Sequence, residues 1–194
     1  MNPHHRQTVP GFGTLLLRPL DPAGDAALLH GWVNDERARF WGMLGHTREQ
    51  VRDIYAHVDS LTTHHAYLLL RDGEPAALFQ TYQPEHDPLG DHYPVQPGDV
   101  GVHLLVAPAA GEPSPHHTAV LVAVLLSAVL TDPAVRRIVA EPDTRNAASI
   151  ERLRRTGFAF GPEVQLEDKL ARLMVLERAV AERFCRTVTD CTSG

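Results

Sequence analysis

The run AVLVAVLLSAVL, from Ala119 to Leu130, holds no charged side chain and is apolar on every face of a helix. It falls short of the about 20 residues that a bilayer crossing needs, so other parts of the chain must cover it. That predicts a helix from about His116 to Leu130 packed against a sheet in a protein with no membrane span. The start, MNPHHRQTVPG, lacks the apolar stretch of a signal peptide, and the two cysteines, Cys185 and Cys191, offer neither a disulfide framework nor a CxxC metal site. A cytoplasmic protein is expected.

The segments around this helix read as alternating elements. TLLLRPL, from Thr14, predicts a first strand, and Asp21 followed by Pro22 predicts a helix from about Pro22 to Val33. Thr47 and Gln50 have capping-box spacing ahead of Val51, Ile54, Tyr55 and Val58, which marks a second helix. Asp72-Gly73 lies between two apolar runs and predicts an antiparallel hairpin. GDVGVHLLVAP, RRIVAEPD and KLARLMVLERA read as further strands, and RNAASIERLRRTGF as a helix with Asn146 as N-cap and Gly157 as its stop. The fold class is α/β or α+β: a mixed central sheet of about six or seven strands with helices on both faces and one parallel crossover. A single domain over 1–194 is expected, its core at about 14–180, with 1–13 and about 184–194 flexible.

A formal net charge of -6 argues against a general nucleic-acid binder and fits a cationic small substrate better. His86, Asp87, Asp91 and His92 share a loop without an established ligand spacing, so no metal is expected.

One residue breaks the pattern of an otherwise apolar strand. In GVHLLVAP, His103 and Leu105 point to one face while Val102, Leu104 and Val106 point to the other. His103 can therefore face a cleft while its neighbours hold the core.

HGWVNDERARFW (30–41), GDVGVHLLVAP and EPDTRNAASIERLRRTGF, in this element order, resemble the GNAT acyl-CoA N-acyltransferases, and among them the siderophore-biosynthesis branch that acylates N-hydroxylated amines. The likeness covers roughly residues 14 to 180. It implies His103 and Asp143 as the catalytic pair, with acetyl-CoA or succinyl-CoA as co-substrate. It also implies that a hydroxylated lysine or a diamine such as N-hydroxycadaverine is the acceptor and a hydroxamate for iron acquisition the product. A histidine titrates nearest working pH and suits removal of the attacking nitrogen's proton.

The pantetheine arm is expected along Leu104, Leu105, Val106 and Ala107, where strands splay. The pyrophosphate is expected near Gly111, Ser114, His117 and Thr118, at the N-terminus of the buried helix. Here the sequence departs from the glycine-bearing Q/R-x-x-G-x-G/A loop of a typical GNAT, since AAGEPSPHHTA has one glycine. Asn146 and Ser149 are candidates to hydrogen-bond the departing thiolate, and Arg145 to meet a CoA phosphate. Trp32, Asn34, Arg37 and Trp41 are candidates for the acceptor wall. Two other readings stay open: an aminoglycoside- or polyamine-type N-acetyltransferase on the same fold, and a non-catalytic acyl-CoA sensor or scaffold.

Overall fold

The computed structural model describes residues 4–108 and 116–191. In chain order the elements are β1 (Arg6–Val9), β2 (Gly13–Pro19), α1 (Ala26–Val33), a 3₁₀ turn (Glu36–Trp41), α2 (Arg48–Ser60), β3 (His64–Arg71), β4 (Glu74–Tyr82) and β5 (Asp99–Val106). The second half adds α3 (His117–Leu130), β6 (Arg137–Ala140), α4 (Ala147–Thr156), β7 (Ala159–Gln165), β8 (Leu170–Glu177) and α5 (Arg178–Cys191). The strands form one mixed sheet in the order β1-β2-β3-β4-β5-β6-β8-β7. Every neighbouring pair is antiparallel except β5 and β6.

Local signals set most of these elements. Thr47 and Gln50 close a reciprocal capping box at α2. Asp72 and Gly73 both take positive φ, 51° and 94°, as a two-residue hairpin turn between β3 and β4 requires. Asn146 accepts from Ser149 N at the start of α4, and Gly157 ends that helix in the left-handed region. Helix α1 begins at Ala26 rather than Pro22, because Asp21 accepts from the backbone N–H groups of Ala23 and Gly24 and holds that stretch in a turn.

Helix α3 lies where its composition demands. Val120, Leu121, Val124, Leu125 and Ala128 pack on the sheet face built by Leu15, Leu69, Phe79, Ile138 and Met174. The opposite face carries α1 and α2 over Leu68, Leu78 and Leu105. Among the described residues no helix is long and apolar enough to cross a membrane.

The sheet has eight strands rather than six or seven. Residues 6–9, expected to be flexible, pair with β2 from Arg6↔Leu16 to Val9↔Gly13. β7 contains Gly161-Pro162 and is an edge strand, where a residue without an N–H is tolerated. The tail expected to fray from about Phe184 is helix α5, with Ala181, Phe184, Cys185 and Val188 against the α3 core. Arg178 anchors its start by donating to Leu130 O at 2.8 Å and to Asp132 O and Val135 O at 2.9 Å, which caps the end of α3.

β5 and β6 pair over Asp99↔Arg137, Val100↔Ile138 and Gly101↔Val139, and diverge beyond. The paired end is clamped by Arg137, whose Nε and Nη2 each lie 2.7 Å from the fully buried carboxylate of Asp99. Tyr93 Oη and Gln96 N donate to the same carboxylate. Asp99→Ala removes one partner of a buried pair and is expected to cost about 3–5 kcal/mol in a urea unfolding titration. A loss under about 1 kcal/mol would show that the clamp is not what holds the two strands together.

Candidate active site

Where β5 and β6 part, a cleft of about 550 Å³ opens through the sheet. One side is built by β5, β6, α3 and α4, the other by the 3₁₀ turn after α1 and the β7–β8 turn.

His103 lines this cleft on the α1–α2 face, as strand alternation predicts. Its Nε2 forms a short hydrogen bond to Oε1 of Glu141, and Nδ1 lies 3.3 Å from Oε1 of Gln80, directly across on β4. The indole of Trp41 meets the imidazole nearly edge-on, with ring centroids 6.2 Å apart. Trp41 is itself fixed by donating from Nε1 to Tyr55 Oη at 3.0 Å.

Glu141 is buried, and burial alone would raise the pKa of its carboxyl. The imidazole of His103, the ammonium of Lys169 at 3.4 Å and the phenol of Tyr82 at 2.6 Å oppose that and bring it down to about 2. Tyr82 is pushed the other way, well above an ordinary phenol, by burial and by the Glu141 charge, so it stays protonated and donates. Its ring lies over Gly101, where a Cβ would run into the aromatic carbons. Strand parity places Val139 and Glu141 on the His103 face and Ile138 and Ala140 on the α3 face.

The carboxylate that meets the imidazole is thus Glu141, and Asp143 is committed elsewhere. After Pro142 the chain turns, and Asp143 accepts from Arg145 N at 2.8 Å, Nε at 2.9 Å and Nη2 at 2.6 Å. The hydrogen bonds from Arg145, more than burial opposes, pull the Asp143 carboxyl below the usual carboxylate range. Asp143 still lines the cleft, whereas Arg145 does not: it is largely exposed, and its guanidinium lies 5.9 Å from the Phe40 ring centroid.

The other candidates divide. Leu104, Leu105, Val106, Asn146 and Ser149 line the cleft, as do Arg37 and Trp41. Ala107 does not, since its N–H donates to Ala76 O of β4. By alternation along β5, the backbone groups of Leu104 and Val106 face the open gap while those of His103 and Leu105 pair with β4. Val106 O accepts from Arg37 Nη1 at 2.6 Å.

Trp32 belongs to the core beneath α1, and Asn34 pins a loop by donating to His30 O and His46 O and accepting from Gly45 N. Neither lines the cleft. His117 and Thr118 open α3 outside it, with His117 against the Phe12 ring at 5.4 Å and 3.4 Å from Arg71 Nη1. Gly111 and Ser114 lie outside the described residues. Sequence reasoning missed Glu141, Gln80, Tyr82 and Lys169. For Glu141 the same period-2 argument that singled out His103 carries the signal.

Three comparisons give this geometry its relatives. The N(6)-hydroxylysine O-acetyltransferase of Escherichia coli is 30% identical over 167 residues, which cover 84% of this chain and 52% of that protein. The chain therefore spans about half the length of that relative. The lysine N-acyltransferase MbtK of Mycobacterium sp. (strain MCS) is 25% identical, with 86% of this chain and 68% of the relative covered. The aminoglycoside acetyltransferase AAC(6')-Ib, solved in complex with coenzyme A, superposes with a TM-score of 0.75 at 26% identity, over 87% of this chain and 98% of that one. Residues 21–166 match the acetyltransferase (GNAT) domain, and the chain belongs to that family.

Proposed function

We propose that this protein is a cytoplasmic acyltransferase that moves an acetyl or succinyl group from acyl-CoA to the hydroxylamine nitrogen of an N-hydroxylated lysine or a diamine such as N-hydroxycadaverine. The product is a hydroxamate of the kind siderophores use to bind iron. The observation that carries this reading is the Glu141–His103 pair on the open edge of β5. The names of the hydroxylysine and lysine acyltransferase relatives supply the acceptor class.

The acyl-CoA arm runs in the gap beside β5, where Leu104 supplies free backbone groups, and leads from the start of α3 near His117 and Thr118. The acceptor enters from the opposite face, between Trp41, Arg37 and the β7–β8 turn. Glu141 accepts from Nε2–H, so Nδ1 is the nitrogen that takes up a proton, and Gln80 Oε1, 3.3 Å away, accepts from it once it is protonated. The neutral hydroxylamine nitrogen attacks the thioester carbonyl, its proton passes to Nδ1, and the C–S bond breaks as the tetrahedral intermediate collapses. Ser149 Oγ donates to the departing thiolate from the first turn of α4, whose start Asn146 orders by its cap. Asp143 presents a charge to the acceptor and holds the β6–α4 turn through Arg145.

The match to AAC(6')-Ib supports a second reading, an aminoglycoside or other polyamine as acceptor on the same chemistry. CoA release measured with hydroxylated and unhydroxylated lysine or cadaverine, and with an aminoglycoside, separates the two. The hydroxylated amines are expected to react faster by about 10-fold or more, because only in them is the nitrogen neutral at working pH. A ferric-complex absorbance of the product reports N- rather than O-acylation. Equal rates on hydroxylated and plain amines would favour the second reading.

His103→Ala is expected to lower turnover about 100-fold or more while CoA binding by calorimetry is retained, the effect of removing a general base. A protein whose acyl-CoA response is unchanged by that substitution is a sensor or scaffold, not an enzyme. Glu141→Gln should lose turnover in parallel. Because the folded carboxyl of Glu141 is depressed to about 2, its contribution to stability is present above the ordinary carboxylate range and is lost as pH falls toward 2. Urea midpoints should therefore fall less steeply for Glu141→Gln than for the parent between about pH 5 and pH 3, and identical slopes would remove Glu141 from the charge network.

A further inference from the structure

The two faces of the cleft differ in charge. On the α1–α2 face, His103, Glu141, Asp143, Asp168 and Lys169 are clustered, and most of them pair with one another or with Arg145. On the other face, α3 contributes Val122, Leu125 and Leu126, and α4 contributes Leu153 beside Ser149 and Thr156. In that apolar surface stands one charged side chain, Arg152.

Arg152 follows Ser149 by three residues and precedes Thr156 by four, so it belongs to the stripe of α4 that faces the cleft. Its neighbours Arg154 and Arg155 turn outward to Glu151. Arg37 on the acceptor face is taken up by Asp35 and Val106 O, and Lys169 by Glu141. The guanidinium of Arg152 has no hydrogen bond or ion pair with any of the described residues. Half-buried, it is a cation for which the described residues supply no partner. Burial alone holds its pKa below that of an ordinary arginine.

Position selects the anion. The first turn of α3, His117 to Val120, does not line the cleft, and the helix contributes only from Val122 onward. An acyl-CoA with its thioester at His103 and its pyrophosphate beyond that first turn points its acyl group inward, toward the end lined by Leu125, Leu126, Arg152, Thr156 and Phe158. We infer, resting on the acyl-CoA reading above, that this inner end is an acyl pocket in which Arg152 binds a terminal carboxylate, making a short ω-carboxyacyl-CoA of the succinyl type the favoured donor over acetyl-CoA. The apolar side chains hold the methylene groups, and the planar guanidinium meets the carboxylate in two parallel hydrogen bonds.

Calorimetric titration of the full chain with CoA, acetyl-CoA, butyryl-CoA and succinyl-CoA tests this. The parent protein is expected to bind succinyl-CoA about 10- to 100-fold more tightly than acetyl-CoA or butyryl-CoA, the effect of one charge-assisted pair in a half-buried site. Arg152→Met should abolish that preference and leave CoA and acetyl-CoA within about 2-fold, while Arg152→Lys should keep part of it. The proposal is overturned if the parent does not discriminate among the thioesters. It is equally overturned if Arg152→Met weakens CoA itself as much as succinyl-CoA, since the guanidinium then serves a phosphate. In both cases the acyl-CoA reading stands. Failure of the parent protein to bind CoA or any thioester would instead sink that reading and this inference with it.

Discussion

Two parallel strands that pair over three residues and then separate are the feature on which the rest of the molecule depends. An intact parallel ladder would bury the N–H and C=O groups of Leu104 and Val106 in hydrogen bonds and leave no opening through the sheet. The divergence needs a firm closed end, or the strands would drift apart along their length. Asp99 and Arg137 provide it, with four donors converging on a carboxylate that has no solvent to fall back on. β6 is short because Pro142 follows two residues after its last strand residue and cannot donate to a ladder. The strand therefore stops where β5 continues toward Val106.

At the mouth of that opening the protein keeps a buried negative charge, which costs far more than it returns unless partners surround it. Glu141 has them: an imidazole, an ammonium and a phenol, each from a different strand or turn. Lys169 is the only lysine in the chain, and it is committed to this carboxylate. Tyr82 reaches it because Gly101 leaves its ring room to lie flat on β5. The arrangement ties β4, β5, β6 and the β7–β8 turn to one atom group, so the imidazole inherits its orientation from packing across half the sheet. A histidine held in this way has Nε2 fixed on the carboxylate and Nδ1 beside Gln80 Oε1, so its ring orientation is set from both sides.

How far the sequence could be read follows from how local each signal is. The capping box at Thr47, the Asp72-Gly73 turn, the Asn146 cap and the Gly157 stop depend on a few neighbouring residues and form as expected. The burial of α3 followed from composition alone. β1 and β7 were not legible because an edge strand needs little hydrophobic alternation, and β7 hides a Pro inside it. The part of helix α5 beyond Phe184 reads as a tail because its polar face dominates the string, although Ala181, Phe184, Cys185 and Val188 recur at helical spacing. In the site, the cleft-facing histidine was visible as an exception to a pattern. Its partner was not: Glu141 and Asp143 share parity along an ideal strand, and only the turn at Pro142 shows that the second carboxylate leaves the register and finds Arg145.

The opening also sorts charge by face. A nucleophile that must be neutral to react and a thioester that must avoid water make opposite demands on their surroundings. In the proposed mechanism the α1–α2 face meets the first demand with paired charges that hold polar groups in place. In the same mechanism the α3–α4 face meets the second with aliphatic side chains, and α3 can supply them because it is apolar all round, so that one stripe covers the sheet while another lines the cleft. The composition that forces α3 into the interior is therefore the same property that gives the cleft an apolar wall, and among the described residues that line this wall Arg152 alone carries a charge.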